Sequence, residues 1–165
     1  MSQRPVIATR QTLIATALDL VGIIGLIVSL VIAVSAWSGL PDIIPVHFGL
    51  DGRPNGWGNK SIFWMFPFLN IVVFLSFTVL RRYPHTFNYP VKITPQNAEF
   101  QYQIAIDLLN WLKTEFVWLF VYIEGEIIRS SKLNNSSLNI EWLLVFLCFI
   151  FVTVGVYLYQ ASRAR

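Results

Sequence analysis

The chain has 165 residues, which is room for one domain, and its composition is that of a membrane protein. Hydrophobic residues make up 55% of it and charged residues only 13%, about half of the roughly 25% that soluble domains carry. The net charge of +3 comes from scattered Lys and Arg residues without a basic stripe, which argues against nucleic acid as a partner. The single cysteine, Cys148, lies in an apolar run and is interpreted as a small packing or lipid-facing residue.

The first apolar segment, residues 13–37, is long enough to cross a membrane, because about 37 Å of helix exceeds a hydrocarbon core of about 30 Å. The sequence at 34–36 resembles a signal-peptide cleavage site, but the apolar run is longer than a signal peptide needs, so we expect an uncleaved anchor. Asp19 lies about two turns into this segment, where a carboxylate costs a few kcal/mol. Asp19 has two interpretations: it makes a structural polar contact, with Arg81 or Arg82 in reach, or it lies on a proton or ion path.

Residues 40–60 interrupt the apolar pattern with prolines, glycines and a histidine. Pro45 restricts any strand here to a sheet edge, and the dipeptides at 51–52 and 55–56 are typical of hairpin turns. We therefore predict a compact hairpin over the outer ends of the helices. Phe48 and Trp57 should lie at the level of the headgroups, and Lys60 should start the second helix.

His47 is the only side chain in this loop that titrates near neutral pH, and Asp42 and Asp51 are close to it in sequence. A histidine with an aspartate can bind a metal or move a proton. However, the chain has no zinc-protease helix motif and no nucleophile elbow. We therefore favour a structural His47 that bonds backbone within the hairpin, and predict no catalytic residue, cofactor or metal site.

Residues 62–80 and 142–159 predict the second and fourth spans, each ending before arginines and carrying interfacial aromatic residues. The third, residues 108–128, is weaker, because charged side chains interrupt it. Glu124 and Glu126 should lie near its outer end, with Arg129 one turn beyond as an ion-pair partner. Glu115 should lie with Lys113 near the opposite end.

A helix start upstream extends this third segment. Thr94 and Pro95 are typical of an N-cap followed by the first helical position. Apolar residues then recur every four positions from Phe100 through Ile104 and Leu108 to Leu112, which indicates one apolar face. We expect one nearly continuous helix from residue 95 to about residue 130.

The distribution of basic residues predicts the orientation. With four spans, seven basic residues fall on the side of both termini and four on the other, which favours cytoplasmic termini. The predicted fold class is an all-α integral membrane protein in one domain, residues 1–165. It has four transmembrane helices and a small extracytoplasmic hairpin-like loop between the first two.

Two motifs resemble a bacterial membrane family. The first consists of Pro41, Pro45, His47, Gly52, Gly56, Trp57, Gly58 and Lys60; the second is Asn88-Tyr89-Pro90, followed by Ile93, Thr94 and Asn97. They are similar to a domain of unknown function (number 1648), which also forms the N-terminal part of immunity proteins against a sporulation-delaying toxin. The resemblance implies a multi-span protein of the bacterial inner membrane. The immunity proteins continue into a further set of helices, so an immunity role cannot simply be carried over to this chain.

Two classes of function are compatible with the sequence. In the favoured one, the protein is a non-enzymatic membrane module that binds an extracytoplasmic ligand, an envelope protein or a peptide through residues 40–60, since recognition residues tend to lie on exposed loops. In the alternative, it is a small transporter or membrane hydrolase that uses His47 and the carboxylates of Asp19, Glu115 and Glu124. The lipid bilayer is the one partner common to both, and the oligomeric state stays open.

Overall fold

The computed structural model describes residues 4–7, 10–133 and 137–163. Four helices dominate it: α1 (Leu13–Ala36), α2 (Met65–Leu80), α3 (Ala98–Lys132) and α4 (Ile140–Arg163). Short 3₁₀ turns at Trp37–Gly39 and Lys60–Trp64 extend α1 and α2. Two antiparallel strands, β1 (Ile43–Phe48) and β2 (Pro54–Asn59), form the predicted hairpin between them.

The helices run in alternating directions. Asp19 and Ser29 of α1 meet Lys113 and Glu124 of α3, so these two helices are parallel. The ring contacts of α2 and α4 with α3 run in the opposite sense. Both ends of the hairpin, the end of α3 and the start of α4 therefore lie together, at what we call the hairpin end; the opposite side is the far end.

Within the described residues, three helices are long and apolar enough to cross a membrane: Leu13–Gly39, Lys60–Leu80 and Ile140–Arg163. Three of the four predicted spans are thus supported by length and composition. The third helix, α3, is the longest at 35 residues but more polar. Its predicted continuity is confirmed, whereas its first residue is Ala98 rather than Pro95.

Small residues on α1 allow a close approach to α3. The buried positions of α1 are spaced three or four apart and are mostly small: Ala15, Leu18, Gly22, Gly25, Ser29, Ala33 and Ala36. A Cβ atom on Gly25 would lie 2.5 Å from Cγ1 of Val117, and one on Gly22 would lie 2.8 Å from the ring of Phe74. Small residues at this spacing let helix backbones pack tightly in membranes.

The buried face of α3 differs from the predicted one. Phe100 is exposed, and only Ile104 of the four predicted apolar positions is buried, at 8% exposure. The interior positions instead include several polar side chains: Gln101, Asn110, Lys113, Thr114, Glu124 and Ser130. The periodicity argument fails here because α3 turns polar as well as apolar groups toward other helices, so an apolar series taken alone does not mark the buried face.

Candidate functional site

The hairpin turn is built around one glycine. The amide of Gly49 donates to the carbonyl of Arg53 at 2.8 Å, and the amide of Gly52 donates to the carbonyl of Gly49 at 2.9 Å. Gly52 has φ +76°, a conformation that residues with a Cβ atom rarely adopt. The predicted turn at 51–52 is confirmed, whereas Asn55 and Gly56 lie within β2 and form no turn.

The base of the hairpin is fixed to the helices. Ile44 and Phe63 are fully buried in a cluster at the hairpin end, together with Ala33, Ala36, Leu40 and Ile127. Lys60 begins the turn that leads into α2, as predicted, and its ammonium lies 3.1 Å from the Asp42 carboxylate. The same ammonium lies 5.3 Å from the ring centre of Trp37. The hairpin therefore cannot swing about its base without breaking these contacts.

The tip of the hairpin is fixed as well, by the connection between α3 and α4. The amide of Leu138 donates to the carbonyl of Gly52 at 2.8 Å. A Cβ atom on Gly52 would lie 2.8 Å from the carbonyl oxygen of Leu138, so both the backbone angle and the space require glycine there.

His47 bonds a side chain rather than the predicted backbone group. Its Nδ1 contacts Oδ1 of Asn55 across the hairpin. The two aspartates that are close in sequence pair elsewhere, Asp42 with Lys60 and Asp51 with Arg53. Across the described ranges, no group of three or more His, Cys, Asp or Glu side chains is placed to hold a metal ion.

The other residues of the first motif shape the hairpin. Pro45 is buried and pairs with Trp57, and His47 pairs with Gly56 at a bulge. A Cβ atom on Gly56 would lie 2.8 Å from Cβ of His47, and one on Gly58 would meet Ile62 at the same distance. Pro41 is exposed just before β1. Gly56 and Gly58 thus allow neighbouring side chains to pack closely against the backbone of β2. One group of large apolar side chains of the hairpin is exposed: Ile43, Val46, Leu50 and Trp57.

The second motif lies at the far end, where it packs the connection between α2 and α3 against α3. The Tyr89 hydroxyl donates to the carbonyl of Pro84 at 2.8 Å, and its ring lies 5.6 Å from that of Tyr102. Burial is the largest cause of the raised pKa of Tyr89. Asn88 and Pro90 are exposed. The two motifs are therefore at opposite ends of the helices and form no common site.

The start of α3 is capped by its own sequence. The side chain of Asn97 accepts from the amide of Thr94 at 2.8 Å, and the amide of Asn97 donates to the Thr94 hydroxyl at 3.3 Å. The predicted cap is therefore displaced: the N-cap of α3 is Asn97 and regular helix starts at Ala98, while Thr94 closes the turn just before it.

Asp19 holds three helices together. Its Oδ1 and Oδ2 accept from both terminal nitrogens of Arg81, at 3.0 and 2.9 Å, which is the bidentate geometry of strong carboxylate pairs. Lys113 of α3 contacts the same carboxylate and is fully buried. Arg81 also donates to Oδ1 of Asn110 at 2.8 Å. The predicted contact with Arg81 is confirmed, whereas Lys113 and Asn110 were not predicted as partners.

The glutamates of α3 have separate environments. Glu124 is fully buried and accepts from the Ser29 hydroxyl at 2.5 Å; its second oxygen has no partner in the described part of the chain. The prediction that it lies beside Arg129 in an interfacial pair is wrong, because its helical position points it at α1. Glu126 does pair with Arg129, as predicted. Glu115 accepts from Thr153 of α4 instead of lying with Lys113.

These features define a helical protein with three candidate membrane-spanning helices and a hairpin that packs against them. Residues 24–71 match the sequence family described as Domain of unknown function (DUF1648), which confirms the predicted resemblance for the hairpin and the adjoining parts of α1 and α2. The matched range ends before Asn88, so it leaves the second motif out.

One curated relative is an uncharacterized protein of the archaeon Archaeoglobus fulgidus. It is 28% identical over 114 residues, which cover 64% of this chain and 56% of that protein. The chain thus spans little more than half the length of the relative it matches, and the likeness extends to an archaeon. No solved structure matches.

Proposed function

We propose that the protein crosses the bacterial inner membrane four times, with α3 as the third span and both termini in the cytoplasm. The alternating directions of the helices support this arrangement. So does the way α3 disposes of its charges: Lys113 meets Asp19, Glu115 meets Thr153 and Glu124 meets Ser29. Polar groups that face other helices and find a partner there cost less in a bilayer than groups that face lipid.

Our proposal for the function is recognition: the hairpin binds an apolar segment of an extracytoplasmic protein or peptide, without catalysis. One observation carries this proposal. The hairpin buries one side in the cluster around Ile44 and Phe63, yet presents Ile43, Leu50 and Trp57 outward.

A hairpin that is fixed at base and tip suits binding, because a preformed surface loses little conformational entropy when a partner docks. A mere connector needs neither two anchors nor an exposed tryptophan. Aromatic side chains are enriched where protein partners bind.

Site-specific photocrosslinking in native membranes tests the proposal. We expect a photoreactive residue at position 50 to give a discrete protein adduct. The same residue at position 20, on the exposed face of α1, should react with lipid only. Trp57→Ala should weaken the adduct, whereas Trp111→Ala should not, although the two tryptophans are equally exposed, at 45% and 46%. Absence of a protein adduct at position 50, or equal loss with both variants, would contradict the proposal.

The buried carboxylates support a second candidate, a small transporter. Glu124 has an oxygen without a partner in the described chain, and Asp19 lies nearer the far end of the bundle. About 15 Å separates Asp19 from Ser29 along α1, at 1.5 Å per residue, so the two polar sites do not touch. Proton flux into liposomes that is abolished by Glu124→Gln and retained with Glu99→Gln, at an exposed position near the start of α3, would favour transport over recognition.

A further inference from the structure

A basic cavity opens at the far end, opposite the hairpin. It lies between the start of α1, the end of α2 and the first half of α3, and its volume is about 230 Å³. Polar and basic side chains dominate its lining: Arg10, Gln11, Arg81, Arg82 and Asn110. This volume is below the roughly 300–1,000 Å³ of sites for drug-sized ligands, which indicates a small group as the occupant.

The charge around the cavity is unbalanced. Asp19 offsets only one of the two cations that contact it, Arg81 and Lys113, so one positive charge remains inside. Arg10 and Arg82 add two more at the cavity wall. None of the described residues that line the cavity is acidic. A fixed surplus of positive charge at a partly buried site favours an anion.

Hydrogen-bond donors at the wall of this cavity are unused. The guanidinium groups of Arg10 and Arg82 make no ion pair or hydrogen bond within the described ranges. Both residues are exposed, so an occupant of the cavity can reach their donors. Asn110 is 1% exposed and accepts from Arg81 through its oxygen, so it holds that guanidinium at the wall rather than contacting an occupant.

We propose that this cavity binds a phosphate group through Arg10 and Arg82. Guanidinium groups match the oxygens of phosphate in pairs. Asp19 and Asn110 hold Arg81 at the cavity wall, where its charge adds to that of the other two arginines. The phosphate is either that of an anionic lipid headgroup or a free one. Basic pockets between membrane helices commonly take headgroups on the cytoplasmic side. The proposal does not depend on what the hairpin binds.

The test uses the full purified chain and two probes. In the first, native mass spectrometry counts phosphatidylglycerol and phosphatidylcholine retained from mixed nanodiscs. In the second, thermal unfolding in detergent is compared in inorganic phosphate and in chloride at equal ionic strength. The test variant is Arg10→Gln/Arg82→Gln. The control, Arg53→Gln/Arg163→Gln, removes two other exposed arginines and the same amount of charge.

We expect the wild type and the control variant to retain phosphatidylglycerol over phosphatidylcholine, or to be stabilised by inorganic phosphate over chloride. The test variant should lose at least roughly tenfold in affinity for that probe, as charged hydrogen bonds of this kind imply. Preference for phosphatidylglycerol assigns the headgroup, and stabilisation by inorganic phosphate alone assigns free phosphate. If the double variant is poorly folded, the single variant Arg82→Glu takes its place and should lose affinity to the same extent. No preference for either probe in the wild type, or equal behaviour of test and control variants, would overturn the proposal.

Discussion

Asp19 is the residue on which the interior of the bundle depends. Its carboxylate is shared by Arg81 and the fully buried Lys113, which have no other carboxylate in the described contacts. Removing the one anion leaves two cations facing each other where they are largely buried, Lys113 completely and Arg81 with 19% of its side chain exposed. Such a loss is more damaging than the net value of the intact pair suggests, because the remaining charges must stay desolvated.

We predict that Asp19→Asn lowers the free energy of unfolding by about 3–5 kcal/mol, as measured by denaturant unfolding in detergent. The matched control is Asp42→Asn, since Asp42 also pairs with a lysine but its side chain is 88% exposed. That change should cost less than about 1 kcal/mol. Equal effects of the two substitutions would show that the inner cluster contributes no more than a surface pair.

The sequence was informative about Asp19 but not about all its partners. Arg81 was predictable, because it follows an apolar segment directly and long side chains reach back along a helix end. Lys113 is 94 residues away from Asp19, and only the rotation of α3 decides which residues face α1. The spacing of Asn110, Lys113, Val117, Val121 and Glu124 does carry that rotation, as an inward stripe of polar and β-branched residues. The periodicity of apolar residues predicts the wrong face of α3, because residues that face lipid are apolar too.

Among the secondary-structure elements, α1 and α3 form the tightest contact. The absence of a side chain on Gly25 leaves room for Val117, whose branched side chain has few alternative rotamers. The stripe of small residues on α1 was readable from the sequence as small residues three and four apart, a known signature of close helix contacts in membranes. Hydrophobicity alone does not show it, because the small and the large apolar residues of α1 score alike.

We predict opposite effects for the same substitution at two glycines. Gly25→Ala should destabilise the protein by about 1–3 kcal/mol, because its Cβ would overlap Val117. Gly155→Ala, in α4, should leave stability unchanged or raise it by roughly 0.5–1 kcal/mol, since nothing lies within 4 Å and alanine favours helix. Thermal unfolding of both variants decides; a neutral Gly25→Ala would mean that α1 and α3 pack less closely than described.

The hairpin was the best-predicted element in outline and the least predictable in detail. Its existence and its turn at 51–52 followed from glycine and aspartate chemistry. Its attachment to Leu138 did not, because that contact joins segments far apart in the chain. The role of Gly56 was misread for a related reason: a glycine that makes room for a cross-strand neighbour looks the same in sequence as one that makes a turn.

We predict that Gly52→Val detaches the hairpin tip. A β-branched residue at φ +76° costs roughly 1–2 kcal/mol, and the overlap with Leu138 adds to this. Hydrogen exchange at the amide of Leu138, which donates to Gly52, should accelerate, while helix amides of α2 stay protected. Leu50→Val, at the exposed neighbouring turn position, should change neither. Unaltered exchange in Gly52→Val would show that the tip is not anchored.

For the molecule as a whole, the open question is whether α3 crosses the membrane, since its composition falls short of a typical span. We predict that it does. In a Cys148→Ser background, single cysteines at positions 53 and 137 should react with a membrane-impermeant reagent from outside, and one at position 92 should not. If α3 stayed on one side, position 137 would be as unreactive as position 92, and the four-span arrangement would have to be given up.

The bond between Gly52 and Leu138 also sets an order of events during synthesis. The two residues are 86 positions apart, so at translation rates of about 5–20 residues per second the ribosome makes the second roughly 4–17 s after the first. Through most of that interval the hairpin has the contacts of Lys60 with Asp42 and Trp37 at its base, but neither Ile127 in the cluster below it nor the tip anchor. The surface that carries Trp57 therefore reaches its final shape only once α4 has begun to emerge, and a nascent chain truncated before residue 138 would display an incomplete version of it.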